Sequence, residues 1–336
     1  DSSAPTSREA TAPQSGGPPG DEGGRMSAIR LQNELKDVFD APALAVVGAD
    51  SPSNLPTIQE AASAPREIDE ILANLGRLSA EASARIKEHA QRSGDSFAIS
   101  ARKLKLVSAA DLCAATAIRD GVLRAEPAAF ALHADLVTLR RPQSAAAEQY
   151  GALRTRLMTT QAPDKLKLFS VIPSGPGVRA NAAAANLAVA FAQIGKHVLL
   201  VDADVRRPSA ATLLGVPDGG LVEHLSGARD FDAAVQQTPI ERLKLLAAHG
   251  PAERPQELLA GAPFRAALER ARAEFDVVVV LTAPFGPAAD GQFVWAETRS
   301  GLIVVRRDDT RAEDLKQLQV VLRQIGTEIL GAVVTA

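Results

Sequence analysis

The strongest constraint on the fold is a set of short apolar runs in the second part of the chain: Leu166–Ile172, His197–Val201, Leu243–Ala247, Val277–Leu281, Leu302–Val305 and Ile329–Val334. They are rich in Val, Ile and Leu, and helical stretches such as 181–194 and 263–274 separate them. A strand with one wet face alternates apolar and polar residues, whereas a strand covered on both faces is apolar throughout. The runs therefore predict an α/β fold, a doubly wound and mostly parallel sheet. In such folds ligands bind where strands end and helices begin, which directs attention to the junctions.

Upstream the character differs. Residues 1–25 are Pro, Gly, Ser and charge, with too little apolar surface to offset the entropy of ordering, and are read as a disordered tail. Residues 26–134 read as a helical, partly flexible region. Ile29, Leu31, Leu35, Val38 and Phe39 recur near helical spacing until Pro42. Pro65 suits a first helical position, and Ile68, Ile71, Leu72, Leu75, Leu78 and Ile86 form one stripe of a longer helix. That stripe either docks on the protein's own core or serves as a partner-binding or coiled-coil helix. Segments 108–123 and 127–139 also read as helical, and residues 135–336 form the α/β domain.

Composition excludes several classes. Lys and Arg number 37 against 40 Asp and Glu, so the cation surplus that drives counterion release from nucleic acid is missing. A single cysteine, Cys113, leaves no internal disulfide or thiolate zinc site and suits a reducing compartment. No apolar run approaches the roughly 18 residues of a membrane span, so direct membrane insertion is not expected. The five histidines lack ligand spacing, Trp295 is expected to pack on the sheet, and Cys113 is expected to be buried and inert.

Three junctions carry the candidate chemistry. The first, Ser174-Gly175-Pro176-Gly177-Val178-Arg179-Ala180-Asn181, runs from a strand through a Gly-rich turn into a helix, the context of a phosphate-cradling loop. A working loop of this kind closes on Gly-Lys-Ser/Thr, where the Lys neutralises phosphate and the hydroxyl holds Mg²⁺. Here Arg179, Ala180 and Asn181 occupy those places. The second junction, Asp202-Ala203-Asp204-Val205-Arg206-Arg207-Pro208, puts two carboxylates at a strand end, as a metal–phosphate site needs. Those carboxylates equally suit pairing with Arg206 and Arg207 or capping of the next helix. The third strand, Val277–Leu281, ends in leucine where phosphoryl-transfer proteins place an Mg²⁺-directed Asp, and Asp276 stands at its other end.

Together these segments resemble the kinase domain of bacterial tyrosine kinases that control capsule and exopolysaccharide synthesis. These kinases belong to a deviant P-loop class shared with plasmid-partitioning and division-site ATPases. The resemblance spans about Asp135–Ala336 and includes Glu148, Tyr150, Arg154, Asn186-Leu187-Ala188, Arg206-Arg207-Pro208-Ser209, Pro255–Leu259, Asp290 and Val304–Arg306. It assigns Ser174, Gly175, Gly177, Arg179 and Asn181 to a degenerate phosphate loop. Asp202 and Asp204 fall on the second acidic motif, which serves Mg²⁺ and the incoming hydroxyl. Glu148 and Arg154 match two charges of a self-association motif whose middle Arg is Gly151 here, so homo-oligomers are expected to be weakened.

The resemblance implies a non-catalytic, pseudokinase-like regulator or scaffold in exopolysaccharide or capsule biosynthesis. Its implied partner is a membrane-embedded chain-length or export protein, or an active kinase paralogue. It would sit in the cytoplasm at the inner membrane through that partner, with no nucleic-acid partner and no cofactor. The alternative is a weak kinase or ATPase, for which ATP and Mg²⁺ would be the cofactors and Asp202 and Asp204 the catalytic residues. A third class, a partitioning or positioning ATPase, is disfavoured because neither a basic DNA-binding surface nor a C-terminal amphipathic membrane helix is found. The chain's one tyrosine, Tyr150, lies on the association helix, and no tyrosine cluster follows the last strand, which argues against an autophosphorylation cycle.

Overall fold

The structure, a computed structural model, describes residues 28–39, 43–47, 67–216, 219–286, 288–307 and 309–335. The 1–25 tail, Pro42 and Pro65 lie outside them.

All six apolar runs are strands. With two additions they form one eight-stranded sheet: β1 Ala43–Val47, β2 Leu168–Pro173, β3 Val198–Asp202, β4 Gln236–Gln237, β5 Leu243–Ala247, β6 Val277–Leu281, β7 Ser300–Arg306 and β8 Glu328–Thr335. The order is β1-β8-β7-β2-β6-β3-β5-β4, parallel throughout except for the short edge strand β4. Residues along each strand alternate between two apolar layers. Phe169, Val171, Val198, Leu200, Val277 and Val279 face one layer, and Leu168, Ile172, Leu199, Val201, Val278 and Val280 face the other.

One layer is filled by the alanine-rich helix Ala180–Gln193, whose small side chains let it lie close to the sheet and bury eleven of its residues. Helices Ala262–Glu274, Asp290–Thr298 and Ala312–Ile325 contribute to the opposite layer. Trp295 is buried there, and its indole N–H donates to Thr282 Oγ1 at 3.1 Å. Among the described residues no helix is long and apolar enough to cross a membrane.

The N-terminal region differs from expectation in three ways. It supplies β1, which pairs in parallel with β8, as well as helices. The long helix expected across Ile68–Ile86 is two helices, Ile68–Asn74 and Ala80–Ser93, because Gly76 turns to φ +70° and Ser79 caps a new start by accepting from the Ala82 N–H. The segment 127–139 is broken too, into a 3₁₀ turn at Pro127–Phe130 and a single turn at Val137–Arg140, whereas 108–123 holds the helix Ala109–Arg119. The stripe nonetheless packs inward: Ile71, Leu72 and Ile86 share one apolar layer with Phe169 and Leu187. Cys113 is only half-buried, on the wall of a groove between these helices and the sheet domain.

Candidate functional site

The three junctions meet at the carboxyl ends of β2, β6 and β3, which are neighbours in the sheet. Leu281 is the register partner of Val171 on one side and of Asp202 on the other.

The turn after β2 begins at Ser174, a buried residue whose N–H donates to the Val304 carbonyl at 2.9 Å and whose hydroxyl lies 3.2 Å from Thr310 Oγ1. Gly177 takes φ +83°, a conformation that glycine adopts without steric cost. In a phosphate cradle the turn's amides point outward. Here the Val178 N–H goes to the Gly175 carbonyl at 3.4 Å and the Ala180 N–H to the Val178 carbonyl at 2.9 Å. Arg179 extends into solvent and pairs with Asp135 at 3.3 Å. Asn181 lies in the first turn of its helix: Oδ1 accepts the Ala182 N–H at 2.8 Å, and Nδ2 donates to Ser209 Oγ at 3.2 Å.

Asp202 is wholly buried at the end of β3. Its Oδ1 accepts the Asp204 N–H at 3.2 Å, and Oδ2 accepts the Ser209 and Ala210 N–H groups at 2.7 and 2.8 Å. Burial pushes its carboxyl up to about 6 although these three N–H donors favour the anion. Asp204 is also raised by burial, against the pull of Arg207, whose backbone N–H it accepts. Arg206 does not pair with either carboxylate of the second junction. It forms a bidentate pair with the buried Asp290 across the cleft. The third strand ends in buried Leu281, while Asp276 at its far end accepts the His197 N–H at 2.8 Å.

Three positions of the family's magnesium–nucleotide site carry residues other than its usual ligands. The place of the loop lysine is Ala180, buried in the central helix. The place of the metal-binding hydroxyl is Asn181, whose amide is already spent on Ala182 and Ser209. Leu281 offers the third motif no ligand. Asp202 holds three amide donors, as a helix-capping carboxylate does. Among the described residues no three His, Cys, Asp or Glu side chains are grouped to hold a metal ion.

Glu148 and Arg154, the two charges that the resemblance assigns to a self-association motif, are both half-buried. Arg154 donates to the Ala190 carbonyl at 2.9 Å, satisfying one of the last-turn acceptors of the central helix. Glu148 is half-buried on the same helix, Ala145–Thr160, and Tyr150 is buried with its phenol pushed well above its usual range by desolvation. Sequence reasoning had no means of finding Asp135 as the partner of Arg179, or Thr310 as the partner of Ser174. The pairs lie 44 and 136 residues apart, and no local pattern marks them.

A mostly parallel doubly wound sheet with a Gly-rich turn between its first central strand and a buried helix defines the class of P-loop ATPase-like domains. No protein-family profile matches the chain. Similar proteins include the tyrosine-protein kinase CpsD of Streptococcus pneumoniae serotype 4, 30% identical over 193 residues, covering 56% of this chain and 83% of CpsD. Another is the succinoglycan biosynthesis transport protein ExoP of Rhizobium meliloti, 31% identical over 214 residues, covering 58% of this chain and 27% of ExoP. Among solved structures the BceF tyrosine kinase domain shares the fold, with a TM-score of 0.59 and 20% identity over 90% of this chain and 97% of that one. The chain belongs to the family of bacterial tyrosine-protein kinases.

Proposed function

We propose that this member of the family acts in exopolysaccharide biosynthesis as a non-catalytic regulator or scaffold. The observation that carries this reading is Asn181: both ends of its side-chain amide are engaged, with the Ala182 N–H and with Ser209 Oγ, at the position where the family's loop holds Mg²⁺. The replacement of the loop lysine by Ala180 and of the third-motif carboxylate by Leu281 falls on the same chemical step. Losing one charged hydrogen bond to phosphate costs about 1.5–3 kcal/mol, roughly ten- to 150-fold in affinity. Metal positioning contributes much of the remaining transition-state stabilisation in phosphoryl transfer.

The retained scaffold then serves recognition, with a membrane-embedded chain-length or export protein, or an active kinase paralogue, as the partner that brings the chain to the inner membrane. The similarity to a segment of a transport protein supports a partner of that class. The test is radiolabelled ATP with Mg²⁺, with and without a candidate export protein. No label on Tyr150 or on the partner, and no ATP-dependent shift in the melting temperature, is the expected result. Magnesium-dependent transfer that disappears in Asp202→Asn would sink the proposal and establish the weak kinase instead.

A further inference from the structure

Away from the strand-end cleft, a cavity of about 520 Å³ opens between the helices Phe97–Lys103 and Ala109–Arg119 and the segment 138–144 that leads into the α/β domain. Its size falls within the range of roughly 300–1,000 Å³ typical of small-molecule sites. The walls are apolar: Ala98, Ile99, Leu112, Ala117, Val122 and Leu139 line it, and Ile99 remains 41% exposed at the opening. Cys113 stands on the same wall.

The rim is charged in one sense. Arg102 and Arg141 are exposed and make no ion pair among the described residues, and the Arg140 guanidinium joins them while donating to the Leu132 carbonyl. The one carboxylate of the rim, Asp120, is paired with Arg119 at 2.9 Å, so it does not offset them. The helix Ala145–Thr160 also starts at this rim through its cap Ser144, adding the positive end of a sixteen-residue dipole. An apolar pocket beneath the exposed Arg102 and Arg141 suits a ligand with an apolar chain and an anionic head, and guanidinium groups favour phosphate through paired N–H donors.

We propose that this cavity binds a phosphorylated single-chain amphiphile, its chain against Leu112 and Leu139 and its phosphate at Arg102 and Arg141. A free chain seated in a cavity differs from a membrane surface or an acidic peptide helix, and the three are separable by experiment. Cys113 is the chain's only cysteine, so its alkylation reports on the cavity alone.

The experiment measures the rate of Cys113 alkylation by iodoacetamide in the full chain, with dodecyl phosphate held below its micellar concentration. At ten times its dissociation constant the amphiphile slows alkylation by about tenfold. Inorganic phosphate and neutral dodecyl maltoside leave the rate unchanged, and the exposed-site double variant Arg102→Ala/Arg141→Ala loses the protection while its unliganded rate stays that of the wild type. Equal protection by the neutral detergent, persistence of protection in the double variant, or no protection at all overturns the proposal. Protection only by phosphatidylglycerol vesicles, or only by an acidic amphipathic peptide, also overturns it, in favour of a membrane or protein contact.

Discussion

Asp202 and Leu281 are register partners on adjacent parallel strands, and the apolar neighbour helps hold the carboxyl in a dry environment at the cleft. Because the folded-state carboxyl is raised to about 6 from 3.8, the native state holds a proton over a window in which the unfolded chain has lost it. This contribution to stability is therefore fullest below the unfolded value and declines as pH rises through about 6, by about 3 kcal/mol in all. Asp202→Asn removes the titration. Urea midpoints measured from pH 4 to 8 should show the wild type losing stability relative to the variant across that window, and parallel profiles would contradict the assignment.

Asn186 joins the N-terminal region to the central helix. Its Oδ1 accepts both the backbone N–H and the hydroxyl of Thr138, at 3.1 and 2.9 Å, and its Nδ2 donates to the carbonyls of Asp135 and Ala182 at 2.7 and 2.8 Å. Asn186→Leu fills similar volume but leaves the buried Thr138 N–H and hydroxyl without their acceptor, at about 1–3 kcal/mol for each one left without a partner. A loss of at least about 2 kcal/mol is expected in urea unfolding followed by Trp295, the sole and buried tryptophan. Asn186→Asp keeps the acceptor, loses both donations and buries a charge, so its deficit should grow between pH 5 and pH 8.

What was legible before the structure follows the range of the physics involved. The six apolar strands were readable because burial on both faces writes itself into consecutive residues, as in Val277–Leu281. β1 was not, because Ala43–Val47 is a five-residue edge strand beside a helix whose periodicity dominates the window. The helix break at Gly76–Ser79 was hidden by Leu75 and Leu78, which keep the apolar phase through it. Gly76 followed three residues later by the cap Ser79 was the available signal. In the cleft, the missing Lys and Asp could be read at Ala180 and Leu281. The closure of Asn181 on Ser209 and the crossing of Arg206 to Asp290 depend on loops that only the folded sheet brings together.

Gly219 lies against the carboxyl end of β5 with no room for a side chain. A Cβ there would stand 2.4 Å from the Ala248 carbonyl carbon and from the His249 nitrogen, both of them backbone atoms. Gly219→Ala must therefore move a strand end or its own loop, and overpacking of this kind costs about 1–3 kcal/mol. Gly250 meets nothing within 4 Å and is the matched control. Thermal unfolding should place Gly219→Ala several degrees below the wild type and Gly250→Ala within a degree or two of it, about what such free-energy changes shift in a domain of this size. Equal melting temperatures would mean that the loop relaxes freely.

Arg154 distinguishes a structural from an associative use of the family's motif. Its guanidinium is held 2.9 Å from the Ala190 carbonyl, and partial burial lowers its basicity. A hydrogen bond from a charged donor is worth about 1.5–3 kcal/mol when buried, and the partly exposed setting reduces this to about 1–2 kcal/mol for Arg154→Ala. Because Gly151 removes the motif's middle cation, the same substitution should leave the mass measured by light scattering unchanged at micromolar concentration. Arg154→Lys can still place a cation at the end of the central helix and should recover part of the stability. If Arg154→Ala instead lowered the measured mass while leaving the urea midpoint where it was, the residue would be acting between chains rather than within one.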